Sequence, residues 1–168
     1  MENGGNMTAS GQGLPPVVIL CGGKGTRLKE ETEFKPKPLV EVGGMPILIH
    51  IMKIYASQGF KEFILCLGYK GEMIKRYFLD QKYILNDFTL DTSSNSVEFH
   101  NNWALHDCKI TFVETGEETL TAGRIKKIQK YVTTDHFMLT YGDGVADVNL
   151  LELLETHKRE HKICTFTG

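Results

Sequence analysis

The sequence predicts an α/β protein in which a mostly parallel β-sheet carries helices on both faces. Short apolar runs alternate with helical patterns along the chain, as in repeated βαβ units. The first run has four consecutive aliphatic residues, which is typical of a strand covered on both sides. With 168 residues and 41% apolar content, the chain is long enough to bury the core of one domain.

The first predicted strand, Val17–Leu20, runs directly into a glycine-rich, basic turn that ends at Leu28. Glycines lack a Cβ atom, so backbone N–H groups in such a turn can approach an anion closely. Lys24 and Arg27 add positive charge, and Arg27 can hold phosphate oxygens in a bidentate manner. The turn therefore predicts a polyphosphate site, and the alternative is an ordinary strand-to-loop connection.

Two common phosphate loops are excluded by the spacing of this turn. A P-loop requires an earlier glycine and a Ser or Thr after the lysine, but Gly25 follows Gly23 and Lys24. The dinucleotide-binding pattern requires a glycine where this chain has Leu28. Another kind of phosphate site is therefore indicated.

A second basic segment, Lys35-Pro36-Lys37-Pro38, follows within ten residues of Arg27. Its prolines hold the two lysines on a stiff, extended backbone. The segment from Lys24 to Lys37 contains five basic and three acidic residues, a local excess of two positive charges. This charge suits a triphosphate, whereas the alternative interpretation is a solvated Lys/Pro loop.

The remaining apolar patterns complete the predicted α/β order. Further strands are expected at 63–67, 110–113, 137–141 and 163–166, and a small hairpin at 88–90 and 97–99. A first helix begins at Pro46, and Asn149 with Glu152 forms a capping box that opens the last helix. Three helices are predicted from apolar stripes: Ile47, Leu48, Ile51, Ile54 and Tyr55; Met73, Ile74, Tyr77 and Phe78; Ile125, Ile128 and Val132.

The predicted strand 137–141 delivers Gly142, Asp143 and Gly144 at its carboxyl end. Open α/β sheets bind ligands at the carboxyl ends of their strands, so we expect Asp143 to face the glycine-rich turn. A carboxylate beside a triphosphate requires a cation between them, and Mg²⁺ is the usual one. The alternative is a plain Gly-Asp-Gly turn.

Composition excludes several other classes of protein. A net charge of −2 argues against general nucleic-acid binding, and the four cysteines form no Cys-x-x-Cys pair that would indicate zinc or a disulfide framework. No apolar run approaches the length of about 20 residues that a membrane span needs. Residues 1–15 lack the pattern of a signal peptide and are expected to be a disordered leader, so a cytoplasmic location is predicted, with no membrane or nucleic-acid partner.

Taken together, these motifs resemble the sugar nucleotidyltransferases, whose pattern is Leu-Ala-Gly-Gly-x-Gly-Thr-Arg-Leu followed by a Lys-Pro segment. Within the family they are most similar to members that use CTP and glucose 1-phosphate. The resemblance runs from about Pro16 onward and implies a Rossmann-like, GT-A-like fold with 16–168 as the N-terminal, nucleotide-binding part of the domain. It rests on 20–28, Lys35 to Pro38, Gly43 to Leu48, Thr115 and Gly116, Thr121 to Arg124, and Tyr141 to Asp147.

The resemblance implies attack by the phosphate oxygen of glucose 1-phosphate on the α-phosphorus of CTP, giving CDP-glucose and pyrophosphate for cell-surface polysaccharide synthesis. Arg27 and Lys37 would be catalytic, Asp143 would bind Mg²⁺, and the full-length protein would be a homo-oligomer. For Arg124 the alternative is a salt bridge on a helix surface. The implied substrate-binding residues are Leu20, Cys21, Gly22, Gly23, Lys24, Gly25, Thr26, Arg27, Lys37, Thr119, Thr121, Arg124 and Gly142.

Three departures from the family pattern qualify this interpretation. Cys21 replaces the usual Ala, and Ala122 stands where Gly is common. The sequence ends at Gly168, before the family's Glu-Lys-Pro segment and second metal-binding Asp, so a C-terminally truncated chain or fragment is expected. Two alternatives therefore remain open: a non-catalytic nucleotide-binding or assembly module, and a related transferase with another nucleotide or sugar phosphate.

Overall fold

A computed structural model of the chain describes residues 13–23, 34–100, 105 and 107–167. Its central sheet has four strands, and every pairing within it is parallel. Their order across the sheet is β7 (Lys109–Glu114), β4 (Glu62–Leu67), β1 (Val17–Leu20) and β8 (Met138–Tyr141). Because β1 lies between β4 and β8, the turn that follows β1 begins in the middle of the sheet. The strands are β1 (Val17–Leu20), β2 (Glu41–Val42), β3 (Met45–Pro46), β4 (Glu62–Leu67), β5 (Phe88–Asp91), β6 (Ser96–Phe99), β7 (Lys109–Glu114) and β8 (Met138–Tyr141).

Helices cover both faces of this sheet, as the sequence predicts. Val17 and Ile19 of β1 face the larger core. Three helices contribute to this core: α1 (Ile47–Ser57), α2 (Gly71–Ile84) and α4 (Leu150–Glu160). Val18 and Leu20 face the opposite side, where Ile128 packs after α3. This arrangement explains why β1 is aliphatic at every position, since each of its faces is buried. The helices are α1 (Ile47–Ser57), α2 (Gly71–Ile84), α3 (Thr121–Lys127) and α4 (Leu150–Glu160).

The last helix begins as its capping box predicts, whereas the first begins at Ile47, one position later than predicted, because the preceding proline belongs to β3. The Asn149 side chain accepts a hydrogen bond from the Glu152 amide at 3.1 Å and so caps α4. The third predicted helix is shorter than its apolar stripe suggests, because a 3-10 turn, Gln129–Tyr131, follows α3 directly. Ile128 is nevertheless buried, so the stripe still marks the face that packs on the sheet.

The predicted strand at 163–166 is wrong. This segment has no regular structure, and the side chains of Ile163 and Phe166 are exposed. A strand persists only when a neighbouring backbone accepts and donates its hydrogen bonds. Here α4 ends at His161 with φ of 49°, and the hydroxyl of Thr165 lies 3.0 Å from Nδ1 of His157. The segment therefore returns along α4 instead of joining the sheet.

The predicted hairpin is confirmed as the antiparallel pair β5 and β6. The ring of Tyr83 at the end of α2 contacts the rings of Phe88 and Phe99, at centroid distances of 5.9 and 5.4 Å. In the connecting turn, hydrogen bonds from Ser93 and Ser94 hold the pKa of Asp91 well below its usual range. Within the described residues, no helix is both long and apolar enough to cross a membrane.

Candidate functional site

A cleft of about 310 Å³ opens at the carboxyl ends of the sheet strands. Its walls are the turn after β1, the 3-10 turn Lys37–Leu39, the loop that leads into α3, and the end of β8. Most of the described residues that were predicted to bind substrate or metal line this one cleft: Leu20, Cys21, Gly22, Gly23, Lys37, Thr119, Thr121, Arg124 and Asp143. The predicted residues Lys24, Gly25, Thr26 and Arg27 lie outside the described residues.

Gly142 joins three walls of the cleft by close backbone contact. Its amide donates a hydrogen bond to the Leu20 carbonyl at 3.0 Å. A Cβ atom at this position would lie 3.0 Å from Sγ of Cys21 and 3.2 Å from Cγ of Pro38. A larger residue would therefore push the end of β8 away from β1, so glycine sets the position of Asp143, the next residue.

Lys37 and Asp143, which are 106 positions apart in the sequence, meet in the cleft. Nζ of Lys37 lies 3.3 Å from Oδ2 of Asp143. Pro36 precedes the 3-10 turn that holds Lys37, and the buried Pro38 anchors that turn. The sequence-based expectation that these two residues share the site is consistent with this contact.

Arg124 is buried beneath the cleft and ties its walls together. Nη1 donates to the Leu67 carbonyl at 3.0 Å and to the Thr115 hydroxyl at 2.6 Å. Nη2 donates to the carbonyls of Gly22 at 3.0 Å and Glu117 at 3.1 Å. The guanidinium thus bridges the turn after β1, the end of β4 and the loop after β7. The alternative of a salt bridge on the helix surface is wrong, because only 6% of Arg124 is exposed.

The space that Arg124 occupies depends on two glycines. A Cβ atom on Gly22 would lie 2.0 Å from Nη1 of Arg124, and one on Gly68 would lie 2.7 Å from the same atom. A side chain at either position would displace the guanidinium from its hydrogen bonds. Gly22 therefore has a packing role in addition to any role in approaching a phosphate.

Cys21, the cysteine that lines the cleft, is a poor nucleophile. Burial raises the pKa of the Cys21 thiol far above its ordinary value, and the positive charge of Arg124 lowers it only in part. Burial also raises the pKa of Cys66 to about 11. Because the thiolate is the reactive form, neither group is suited to nucleophilic chemistry near neutral pH.

We expect alkylation to distinguish these cysteines from Cys164. Iodoacetamide at pH 8 should modify the exposed Cys164 first, while Cys21 and Cys66 react only after unfolding, because they are buried and protonated. Peptide mass spectrometry over a time course measures each rate. Labelling of Cys21 as fast as Cys164 in the native protein would contradict this account of the cleft.

The described residues of this cleft do not form a metal cage from protein side chains alone. Within the described part of the chain, no three His, Cys, Asp or Glu residues are grouped to hold a metal. Asp143 presents a single carboxylate, which already faces the cation of Lys37. This donor set fits Mg²⁺, which commonly takes one or two carboxylates and completes its shell with phosphate oxygens and water.

The cleft also includes residues that sequence reasoning missed. Glu117, Glu118 and Leu120 lie in the loop before α3, and Tyr141 is the last residue of β8. Tyr141 could have been found, because it directly precedes Gly142 and Asp143. The two glutamates gave no such signal, since a carboxylate is expected beside phosphates only where a cation lies between them.

The open parallel sheet places Lys37, Arg124 and Asp143 around one cleft at the carboxyl ends of its strands, which is where α/β proteins of this class bind their ligands. The sequence pattern of the nucleotidyl transferase family matches residues 16–168. The chain therefore belongs to the nucleotidyl transferase family.

Two curated relatives with about half of their aligned residues identical to this chain are named as the same kind of enzyme. The chain is 53% identical over 155 residues to the Bacillus subtilis (strain 168) protein named "Probable glucose-1-phosphate cytidylyltransferase". It is 47% identical over 153 residues to the glucose-1-phosphate cytidylyltransferase of Salmonella typhimurium (strain LT2). Each match covers 90% of this chain and 59% of the relative. The chain thus spans about three fifths of the length of these relatives and corresponds to their N-terminal part.

Solved structures agree with the fold. HddC from Yersinia pseudotuberculosis, crystallised with GMP-PN, gives a TM-score of 0.63 at 28% identity, over 86% of this chain and 54% of that one. A UDP-glucose pyrophosphorylase in complex with UDP-glucose gives 0.62 at 15% identity, over 88% of this chain and 55% of that one. The second likeness supports the fold alone. The predicted mostly parallel sheet with helices is confirmed.

Proposed function

We propose that the chain is the nucleotide-binding part of an enzyme that transfers a cytidylyl group from CTP to glucose 1-phosphate, giving CDP-glucose and pyrophosphate. The observation that carries this proposal is the contact between Lys37 and Asp143 at the mouth of the Gly22–Gly23 turn, in one cleft. The choice of CTP and glucose 1-phosphate is supported by the names of the relatives at 53% and 47% identity.

The proposed reaction is an in-line displacement at the α-phosphorus, which requires positioning and charge stabilisation but no covalent protein intermediate. The backbone at Gly22 and Gly23 lets the phosphates approach, and Lys37 places its ammonium at the α-phosphate. Arg27 is proposed to neutralise the leaving pyrophosphate. Asp143 would hold Mg²⁺, which supplies further positive charge to the phosphates when it is bound.

The other wall of the cleft is proposed to hold the nucleoside and the sugar. Thr119 and Thr121 offer hydroxyl groups from the loop before α3, and both line the cleft. Gly142 leaves room for the sugar nucleotide at the end of β8. Arg124 is proposed to serve nucleotide binding through the backbone that it holds, since its guanidinium already donates to four oxygens.

Pyrophosphate release tests the proposal directly. The protein is incubated with Mg²⁺, glucose 1-phosphate and each of CTP, UTP, dTTP, ATP and GTP, and CTP should give the highest rate. Asp143→Ala should lower that rate by roughly 10²-fold, because charge stabilisation at the phosphates is lost. Asp147→Ala is the matched control, since Asp147 is exposed and lies outside the cleft lining.

Three outcomes separate the candidate functions. Equal rates for Asp143→Ala and Asp147→Ala would reject the proposed role of Asp143. Preference for another nucleotide would indicate a related transferase. Mg²⁺-dependent CTP binding without turnover would favour an incomplete enzyme or a non-catalytic binding module.

We further propose that the complete protein assembles as a homo-oligomer and works in the cytoplasm, where CTP is at hand, to supply cell-surface polysaccharide synthesis. Exposed apolar side chains near the end of α2 support assembly: Leu79, Ile84 and Leu85 are 68%, 73% and 62% exposed. The hairpin β5–β6 exposes Leu90 as well, and several large apolar side chains exposed in one part of a protein are typical of protein contacts.

A further inference from the structure

The ion pair between Lys37 and Asp143 joins two backbone segments that are each fixed from below. The 3-10 turn of Lys37 is closed by a hydrogen bond from the Val40 amide to the Lys37 carbonyl at 3.0 Å. Asp143 follows Gly142, whose amide is bonded to β1. The Lys37 and Asp143 side chains are 23% and 40% exposed, respectively. The pair is therefore a partly shielded contact between rigid elements, unlike an ion pair of two mobile surface chains.

We infer that the ammonium group of Lys37 holds the place of a cation at Asp143 in the ligand-free protein, so that a divalent metal must compete with it. The inference rests on the proposed function, because it takes Asp143 as the metal ligand. A metal ion at this carboxylate would lie beside the positive charge of Lys37 and would break the 3.3 Å contact. Metal binding alone is therefore opposed by Lys37, through both repulsion and the loss of the pair.

A nucleotide removes this opposition, because its phosphate oxygens offer Lys37 another anion. Lys37 then leaves Asp143, and the carboxylate is freed for the metal. By linkage, the metal must favour nucleotide binding by the same factor. Lys37 in this way couples the two ligands: it keeps the metal affinity low until the phosphates arrive, and it reaches those phosphates when the metal takes its place.

Mn²⁺ binding to the nucleotide-free protein, followed by electron paramagnetic resonance, tests the competition without any turnover. Lys37→Met should tighten Mn²⁺ binding by about fivefold, the size expected for removing one partly exposed ion pair. Asp143→Asn should abolish the binding in both the wild-type and the Lys37→Met background. Lys35→Met is the matched control: it removes the same charge two residues away, from a pair with Glu41 at 3.3 Å that lies outside the cleft lining.

The outcomes separate the inference from the proposed function. If Asp143→Asn binds Mn²⁺ as well as the wild type, the metal assignment fails and the inference fails with it. If the binding depends on Asp143 but Lys37→Met tightens it no more than Lys35→Met does, only the competition is rejected.

A second readout follows Lys37 itself. Reductive ¹³C-methylation of lysines keeps their charge, and the Lys37 signal is assigned by its loss in Lys37→Arg. Addition of MgCl₂ should shift that signal in the wild type and leave it in place in Asp143→Asn. If MgCl₂ leaves the chemical shift of Lys37 unchanged while Mn²⁺ binds at Asp143, the Lys37 ammonium does not compete with the metal.

Discussion

Replacing Arg124 with methionine is expected to lower the free energy of unfolding by about 4 kcal/mol. The change removes the donors of four hydrogen bonds, to the oxygens of Leu67, Thr115, Gly22 and Glu117. A hydrogen bond from a charged donor contributes roughly 1.5 to 3 kcal/mol. The carbonyls of Leu67 and Gly22 keep backbone donors from Thr115 and Tyr69, which reduces the loss. The variant no longer pays the desolvation cost of a buried cation, and this gain offsets part of the loss. The expected value is therefore below the sum of the four bonds.

Urea unfolding followed by circular dichroism measures the effect. Lys126→Met is the control on the same helix, because Lys126 is exposed and its bond among the described residues is local, to Oε1 of Gln129 at 2.8 Å. It should change stability by less than about 0.5 kcal/mol. Arg124→Lys should fall between the two, since a single ammonium cannot reach all four acceptors. Equal unfolding midpoints for Arg124→Met and Lys126→Met would contradict the bridging role.

The predictable part of the fold is the part whose cause is local in the sequence. Val17–Leu20 is aliphatic at each position because both faces of β1 are covered, so the run alone indicates a central strand. The segment 163–166 shows a similar local preference for a strand, yet it has no strand beside it in the described chain. Local pattern reports what a segment can form, whereas a strand also needs a partner for its hydrogen bonds.

The same distinction applies to the cleft. The position of Asp143 in one cleft with the turn after β1 followed from the rule that ligands bind at the carboxyl ends of parallel strands. The bridging contacts of Arg124 did not, because its partner Gly22 lies 102 positions away and three strand ends must first converge around the guanidinium. By itself the residue pattern marks Arg124 as a basic residue near a helix start, and the family resemblance implies only that it binds substrate. Its burial emerges from the assembled sheet.

The glycines of the first turn provide the second large effect, and they differ from each other. Gly22→Ala is expected to destabilise the protein by about 3 kcal/mol, because the added Cβ would lie 2.0 Å from Nη1 and 2.3 Å from Cζ of Arg124. Gly23→Ala is the matched control, because no heavy atom of the described residues lies within 4 Å of its added Cβ. If both glycines served only to let phosphates approach, the two variants would be equally stable and equally impaired in CTP binding.

A double-mutant cycle assigns the Gly22 effect to its cause. In the Arg124→Met background the guanidinium is gone, and the more flexible methionine can move away from the added methyl group. Gly22→Ala should then cost less than about 1 kcal/mol, so the two changes are strongly non-additive. Unfolding midpoints of the four proteins supply the cycle. If Gly22→Ala costs the same with and without Arg124, the clash is not its source, and the turn after β1 requires glycine at this position for its own backbone.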